Sequence, residues 1–282
     1  MAKKPFTLAQ HADPCPNLLI EHGPAGEGVG RWVPDEKHTL LAKMIGGTRG
    51  ARAKYTNRVL IDPFCGPGRI QVKGESHTRD GGAIVACREA SLHNVAFTHV
   101  FLGDLNSDRV DACVSRLHAI GMPAQGFAGP AAETVPRMMA VMPSRSLVLA
   151  YIDPYNLEFL SFDIIQALAK NDRVDFAVHF STMDLQRNVD MELDATRARF
   201  DEAAPGWRQA LAAVSKTELR VEFFRYWMGL IVKLGFAFSR EMPLVRGDRN
   251  EPLYRLVFFS RHDFPNRIWD DVARGANMDF GF

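Results

Sequence analysis

Arg58-Val59-Leu60-Ile61-Asp62-Pro63-Phe64-Cys65-Gly66-Pro67-Gly68-Arg69 is the stretch that decides the fold. A short apolar run ends in an acid, and a tight Gly-Pro-Gly turn follows. This is how a buried parallel strand brings its carboxyl end to a ligand crevice. Gly66 and Gly68 lack a Cβ, so the backbone can turn sharply there and let a ligand come close. A second stretch, Leu147-Val148-Leu149-Ala150-Tyr151-Ile152-Asp153-Pro154-Tyr155-Asn156, ends in the same way. Packing alone does not call for two apolar strands that each close on Ile-Asp-Pro-aromatic.

Between and around these two stretches, strands and helices alternate. Strands are expected near Val59 to Asp62, Val95 to Leu102, Ala124 to Ala128, Leu147 to Ile152 and Val174 to Phe180. Helical spacing falls between them: Leu40, Leu41, Met44 and Ile45 form one apolar stripe, Val110, Val114 and Leu117 another, and Phe162, Ile165 and Leu168 a third. Val221 to Leu234 reads as a further helix, and two late strands, Ala237 to Pro243 and Leu253 to Ser260, suggest a final hairpin. The expected fold class is α/β, a doubly wound and mostly parallel sheet with a C-terminal antiparallel strand. Residues 1–34 are rich in Gly and Pro and are expected to form an irregular arm, with one α/β domain over 35–282. A charged stretch of about 184–220 is expected as a helical insertion or lid.

The chain has 282 residues, enough for a sizeable core, with 46% hydrophobic and 24% charged residues. A net charge of +1 excludes strong global attraction to nucleic acid or to an anionic membrane. Cys15, Cys65, Cys87 and Cys113 show no metal-ligand spacing, so free thiols and no metal are expected. No apolar run is long enough to span a membrane, and the N-terminus lacks a signal-peptide core. A cytoplasmic location is the expectation.

The chemistry of the first strand end suits S-adenosylmethionine. Asp62 and the turn Pro63-Phe64-Cys65-Gly66-Pro67-Gly68 would hold its amino-acid part, and Asp104, at the next strand end, would accept hydrogen bonds from ribose hydroxyls. In the second motif, Asp153 and the Pro154 carbonyl would accept from a substrate amine, and Tyr155 would stack on a planar substrate. His179 reads as a hydrogen-bonded core histidine. Gly66-Pro67-Gly68 lacks the third glycine of the dinucleotide fingerprint, which counts against a nicotinamide enzyme.

Taken together, Lys37-His38, Ile61 to Gly68, Tyr151-Ile152-Asp153-Pro154-Tyr155, Val174-Asp175, Leu185-Gln186-Arg187-Asn188, Tyr254 to Phe259 and Ile268-Trp269 resemble the three-Cys-motif partner proteins. The resemblance spans roughly Asp35 to Arg274. It implies a class I methyltransferase-like fold and association with a partner bearing a three-cysteine motif of the radical-S-adenosylmethionine kind. It also implies that Lys37, His38 and Arg187 face the cleft and contact substrate. The second motif is similar to the Asp-Pro-Pro-aromatic signature of amino-methyltransferases acting on bases, but Tyr155 stands where the second proline belongs. The expected substrate is therefore a nucleic acid or nucleoside-type molecule, methylated on nitrogen. The alternative is a non-catalytic accessory subunit of the same partner.

Overall fold

The computed structural model describes residues 6–23, 25–192 and 198–274. A π-helical turn, Val33–His38, runs into α1 (Thr39–Gly47), and a single turn, α2 (Arg49–Arg52), follows. β1 (Arg58–Asp62) is the first strand of the main sheet. β2 (Arg69–Gln71) and β3 (Thr78–Asp80) form a separate small hairpin before α3 (Gly82–Leu92). Then come β4 (His99–Asp104), α4 (Ser107–Ala119), β5 (Ala124–Ala128), α5 (Ala131–Val141) and β6 (Leu147–Ile152). α6 (Phe162–Leu168), β7 (Val174–Phe180) and α7 (Thr182–Glu192) continue the alternation. α8 (Trp207–Ala210) and α9 (Leu219–Lys233) lead to β8 (Ala237–Phe238), β9 (Leu244–Arg246) and β10 (Pro252–Ser260), and α10 (Asp263–Ala273) follows them.

The main sheet runs β5-β4-β1-β6-β7-β10-β8, with β9 also paired to β10. β5, β4, β1, β6 and β7 are parallel neighbours, and β10 lies antiparallel to both β7 and β8. The chain therefore winds outward from β1 through β4 and β5, then returns to the other side of β1 to lay down β6. That reversal places the switch point between the carboxyl ends of β1 and β6, at Asp62 and Asp153, where open α/β sheets bind ligands. The expected fold class is the observed one: doubly wound and mostly parallel, with an antiparallel strand from the C-terminal part.

Helices cover both faces, which is why the central strands are apolar throughout instead of alternating. Val59, Ile61, Val148, Ala150, Phe176 and Val178 feed one core, and Leu60, Leu149, Tyr151 and Ala177 feed the other. Strand geometry sends successive side chains to opposite faces, and these two sets obey it.

One local boundary changes, and two stretches gain a definite structure. β4 begins at His99 instead of Val95. The carbonyls of Val95 and Ala96 are instead taken by Arg52 and Arg58 side chains at 3.2 and 2.8 Å. The polar stretch after the glycine turn forms the β2–β3 hairpin, and the N-terminal arm adds parallel bridges to it at Glu21–Ile70 and Val29–Val72. The charged stretch is anchored in the core. Phe200, Ala203, Ala204 and Trp207 are fully buried against Phe223 and the main core, and the buried Glu192 is paired with Arg199 at 2.9 Å. Residues 193–197 of that stretch lie outside the described residues.

Besides those bridges, one buried side chain ties the arm down. Arg116 of α4 is fully buried and grips the Asp13 carboxylate at 2.9 and 2.8 Å, the Leu19 carbonyl at 2.8 Å and the Pro67 carbonyl at 2.7 Å. The arm is thereby tied to the glycine turn.

Candidate active site at the sheet switch point

The glycine turn is set by two hydrogen bonds and two glycines with positive φ. The Phe64 N–H donates to the Asp62 carboxylate at 3.0 Å, and the Cys65 N–H donates to the Gly103 carbonyl at 2.8 Å. Gly66 has φ +55°, and a Cβ there would meet only Arg109 Nη2 at 3.4 Å. Gly68 has φ +77°, and a Cβ there would strike Cys113 Sγ at 2.9 Å. Gly68 is thus required for close packing of the turn on α4. Pro63 is buried and Phe64 packs partly into the core, so they shape the turn.

Asp62 is 2% exposed. Burial pushes its carboxyl well above the usual range, and the nearby Asp153 and Asp104 charges push it further. Its observed work is to brace the turn, so direct contact with a cofactor, as expected from sequence, is not what the geometry offers. The mutual influence of Asp62, Asp104 and Asp153 does show that the three strand-end acids gather at one place.

Asp104, at the end of β4, has a side chain 17% exposed. One oxygen accepts from the Asn106 N–H at 3.0 Å, and the other lies 3.4 Å from Arg109 Nε, which makes no hydrogen bond. Asn106 caps α4 by accepting the N–H groups of Asp108 and Arg109. That cap holds Arg109 at the crevice rim, where its guanidinium also pairs with Glu21 of the arm. Neither Arg109 nor Glu21 was legible from the sequence, because their meeting depends on where the arm docks.

Asp153 is the hub of the second half. Lys37 Nζ donates to its two oxygens at 3.0 and 2.7 Å, His179 Nδ1 at 2.6 Å and the Tyr151 hydroxyl at 3.2 Å. Burial alone would raise this carboxyl; the Lys37 charge and the His179 hydrogen bond overturn that and hold it well below the usual carboxylate range. Four hydrogen bonds occupy the roughly four acceptor positions of a carboxylate. The expectation that Asp153 itself accepts a substrate amine is therefore corrected: it positions Lys37 and His179.

His179 is hydrogen-bonded, as expected, and its partner is the Asp153 carboxylate. Its Nδ1 must donate to the Asp153 carboxylate, which leaves Nε2 as the lone-pair nitrogen. Nε2 has no hydrogen-bond partner among the described residues. Burial lowers the pKa of this imidazole, the Asp153 contacts offset part of that, and Lys37 adds to the lowering. The Tyr254 ring lies 3.9 Å from the His179 ring, and Lys37 Nζ sits 5.5 Å above the Tyr254 ring.

Lys37 and His38 come from the π-helical turn, a widened geometry frequent at functional sites. His38 is buried, and burial followed by the Lys37 charge lowers its pKa to about 3. His38 Nδ1 and the Tyr254 hydroxyl are both buried without a hydrogen-bond partner among the described residues. Buried polar atoms are rarely left so, and two beside one ionic cluster point to a polar ligand.

Pro154 is buried, while Tyr155 is 64% exposed beyond the mouth of the cluster. Arg187 is exposed on α7 and, among the described residues, shares no hydrogen bond or ion pair with these side chains. Among the described residues, no group of three or more His, Cys, Asp or Glu side chains could hold a metal ion, and no helix is long and apolar enough to cross a membrane.

No family model matches the chain, and no curated protein does. Solved structures do. A protein of Legionella pneumophila is 10% identical over 83% of this chain and 88% of its own, with a TM-score of 0.48. A candidate RNA methyltransferase from Pyrococcus horikoshii is 11% identical over 87% of this chain and 94% of its own, with a TM-score of 0.45. An O-methyltransferase from Bacillus cereus, solved with S-adenosylhomocysteine, is 10% identical over 79% of this chain and 80% of its own, with a TM-score of 0.43. These likenesses concern the path of the chain.

Proposed function

We propose that this chain is an S-adenosylmethionine-dependent methyltransferase acting on nitrogen in a nucleic-acid or nucleoside-type substrate. The observation that carries this reading is the meeting, at the sheet switch point, of the strand-end acids with two unpartnered buried polar atoms. The residues present fit the cofactor: Gly66 offers backbone without a side chain, and Asp104 offers carboxylate oxygens suited to a ribose diol. Bound there, the cofactor would supply a methyl group on a sulfonium, which is already a good leaving group.

The chain's own residues then have distinct work. Asp104 accepts from the ribose hydroxyls, and Gly66 permits close approach. His179 Nε2 accepts the proton lost by the substrate nitrogen, with Asp153 fixing the tautomer and ring orientation. Lys37 holds Asp153 ionised. Tyr155, exposed at the mouth, offers a ring for a planar substrate to stack on.

Calorimetry with S-adenosylmethionine and S-adenosylhomocysteine tests this. Both should bind the parent protein, and Asp104→Ala should weaken binding at least tenfold. Absence of binding, or an Asp104→Ala protein that binds like the parent, would sink the reading.

One observation favours the accessory reading instead. Arg109, bonded to Glu21 of the arm, stands against Asp104 where a diol would sit. If the arm keeps that place, the chain serves to bind a radical-S-adenosylmethionine-like partner with a three-cysteine motif. Stable co-purification with that partner, undiminished in Asp104→Ala and without cofactor binding, would select it.

A further inference from the structure

A cavity of about 400 Å³ opens beyond the carboxyl end of β7, walled by α7, α9, β9 and β10. It belongs to the other face of the sheet from the ionic cluster. His179 turns toward Tyr254 and Asp153, whereas the next residue, Phe180, turns to the core beneath α9 and lines this cavity. The volume suits one small molecule, since such pockets run roughly from 300 to 1,000 Å³.

Most of the wall is apolar, and one part of it is flat. Phe180, Leu185, Val221 and Leu244 contribute apolar surface. Phe224, half-buried on α9, lines the cavity with a ring that its neighbours hold in place. It stacks on Trp227 at 5.9 Å, within 18° of parallel, and meets the edge of Phe180 at 4.8 Å. A ring fixed in this way gives a planar heterocycle a stacking surface, whichever base it is.

The polar part of the wall comes from α7. Thr182 and Gln186 are four residues apart, so they share one helix face, and both line the cavity. The Thr182 hydroxyl is buried and has no hydrogen-bond partner among the described residues. Buried hydroxyls are rarely left so, which points to a polar ligand atom at that wall. The half-buried Gln186 side chain makes no hydrogen bond with any described residue. Its amide offers a donor beside an acceptor, which complements the edge of a nucleobase, where an N–H adjoins an acceptor atom. Arg246 and Arg255 also wall the cavity, where they hold the backbone carbonyls of Asn250 at 2.9 Å and Met242 at 3.2 Å. Neither is needed for the contacts just named.

We propose that this cavity is a binding site for an uncharged nucleobase, stacked on Phe224 and hydrogen-bonded along one edge by Gln186 and Thr182. The base belongs to a free nucleoside or to a single strand. The site does not depend on the methyl-transfer reading.

Adenosine, guanosine, cytidine and uridine should be titrated onto the full chain by calorimetry, with ribose as the control that lacks a base. At least one nucleoside is expected to bind, and ribose is not. Phe224→Leu should weaken that binding by about fivefold or more, through the lost stacking surface. Gln186→Leu and Thr182→Val should each weaken it by about fivefold or more, through the lost edge contact. Neither of these α7 changes breaks a hydrogen bond among the described residues, so thermal melts like the parent's are expected and show that the fold is kept. Asp104→Ala should leave nucleoside binding unchanged, which separates this site from the cofactor crevice. A single-stranded tetranucleotide of the preferred base tells the two sources apart: tighter binding than the nucleoside assigns the base to a strand, and binding no tighter assigns it to a free nucleoside. Failure of all four nucleosides to bind, binding matched by ribose, binding lost in Asp104→Ala, or binding indifferent to Phe224→Leu or to both α7 variants would overturn the proposal.

Discussion

Lys37 Nζ reaches both carboxylate oxygens of Asp153, at 3.0 and 2.7 Å, across 116 residues of sequence. Their side chains are only 8% and 18% exposed, so each charge has given up most of its water. Removing one partner of such a pair strands the other, at a cost of roughly 3–5 kcal/mol. Asp153→Asn is expected to destabilise the protein by about that much in urea denaturation. Lys37→Met combined with Asp153→Asn should recover most of the loss, because no ion then remains buried. A single variant as stable as the parent would show that the pair is not the hub described.

His38 should stay neutral in the folded protein. Its pKa is lowered to about 3 in the folded state, against about 6.5 when unfolded. A lowered value means that the unfolded chain binds the proton more readily, so this contribution to stability is fully present above pH 6.5 and is lost as pH falls toward 3. Proton NMR should show one imidazole that does not titrate between pH 8 and 5, and His38→Gln should remove that signal. A midpoint near 6.5 for that ring would refute its burial.

Asp175 on β7 behaves in the opposite sense. Burial raises its pKa to about 6, against the lowering influence of Ser260 and His262. A raised carboxyl binds protons better when folded, so its stability contribution is present below pH 4 and is lost as pH rises through 6. Asp175→Asn should therefore stabilise the protein at pH 7.5 by roughly 1–3 kcal/mol, on the scale of 1.36 kcal/mol per pH unit. At pH 4 it should change little. Thermal melts at the two pH values check this.

The two glycines of the turn should part company on substitution. Gly68→Ala combines a positive φ with a clash on Cys113, and a loss of about 2–4 kcal/mol is expected. Gly66→Ala meets open space on most of its side, so about 1 kcal/mol of conformational strain is expected. Its larger effect should be on S-adenosylmethionine binding, weakened tenfold or more in calorimetry. Equal stability losses for the two variants would contradict their assigned roles.

Several parts of the candidate site were legible because they are local. An apolar strand that ends in Asp-Pro marks the carboxyl edge of a parallel sheet, so Asp62, Asp104 and Asp153 could be grouped from their places on β1, β4 and β6. His179 was hidden because a histidine within an apolar strand looks the same whether it packs in a core or faces a carboxylate. Arg109 and Glu21 were hidden because no local pattern says where an irregular arm will dock. A glycine that admits a ligand and one that admits a neighbouring helix leave the same trace in sequence, so the packing role of Gly68 shows only in the fold.

The sequence by itself determined the alternation of strands and helices, the parallel sheet covered on both faces, and the acids at its strand ends. These follow from short-range periodicity and from the need to bury apolar strands on two sides. Only the tertiary structure decided what those acids do. A buried charge must find its partner wherever the fold supplies one, and for Asp153 that partner came from the π-helical turn at Lys37 and from the neighbouring strand at His179. Such pairings are set by the crossing of distant segments, which no spacing along the chain encodes.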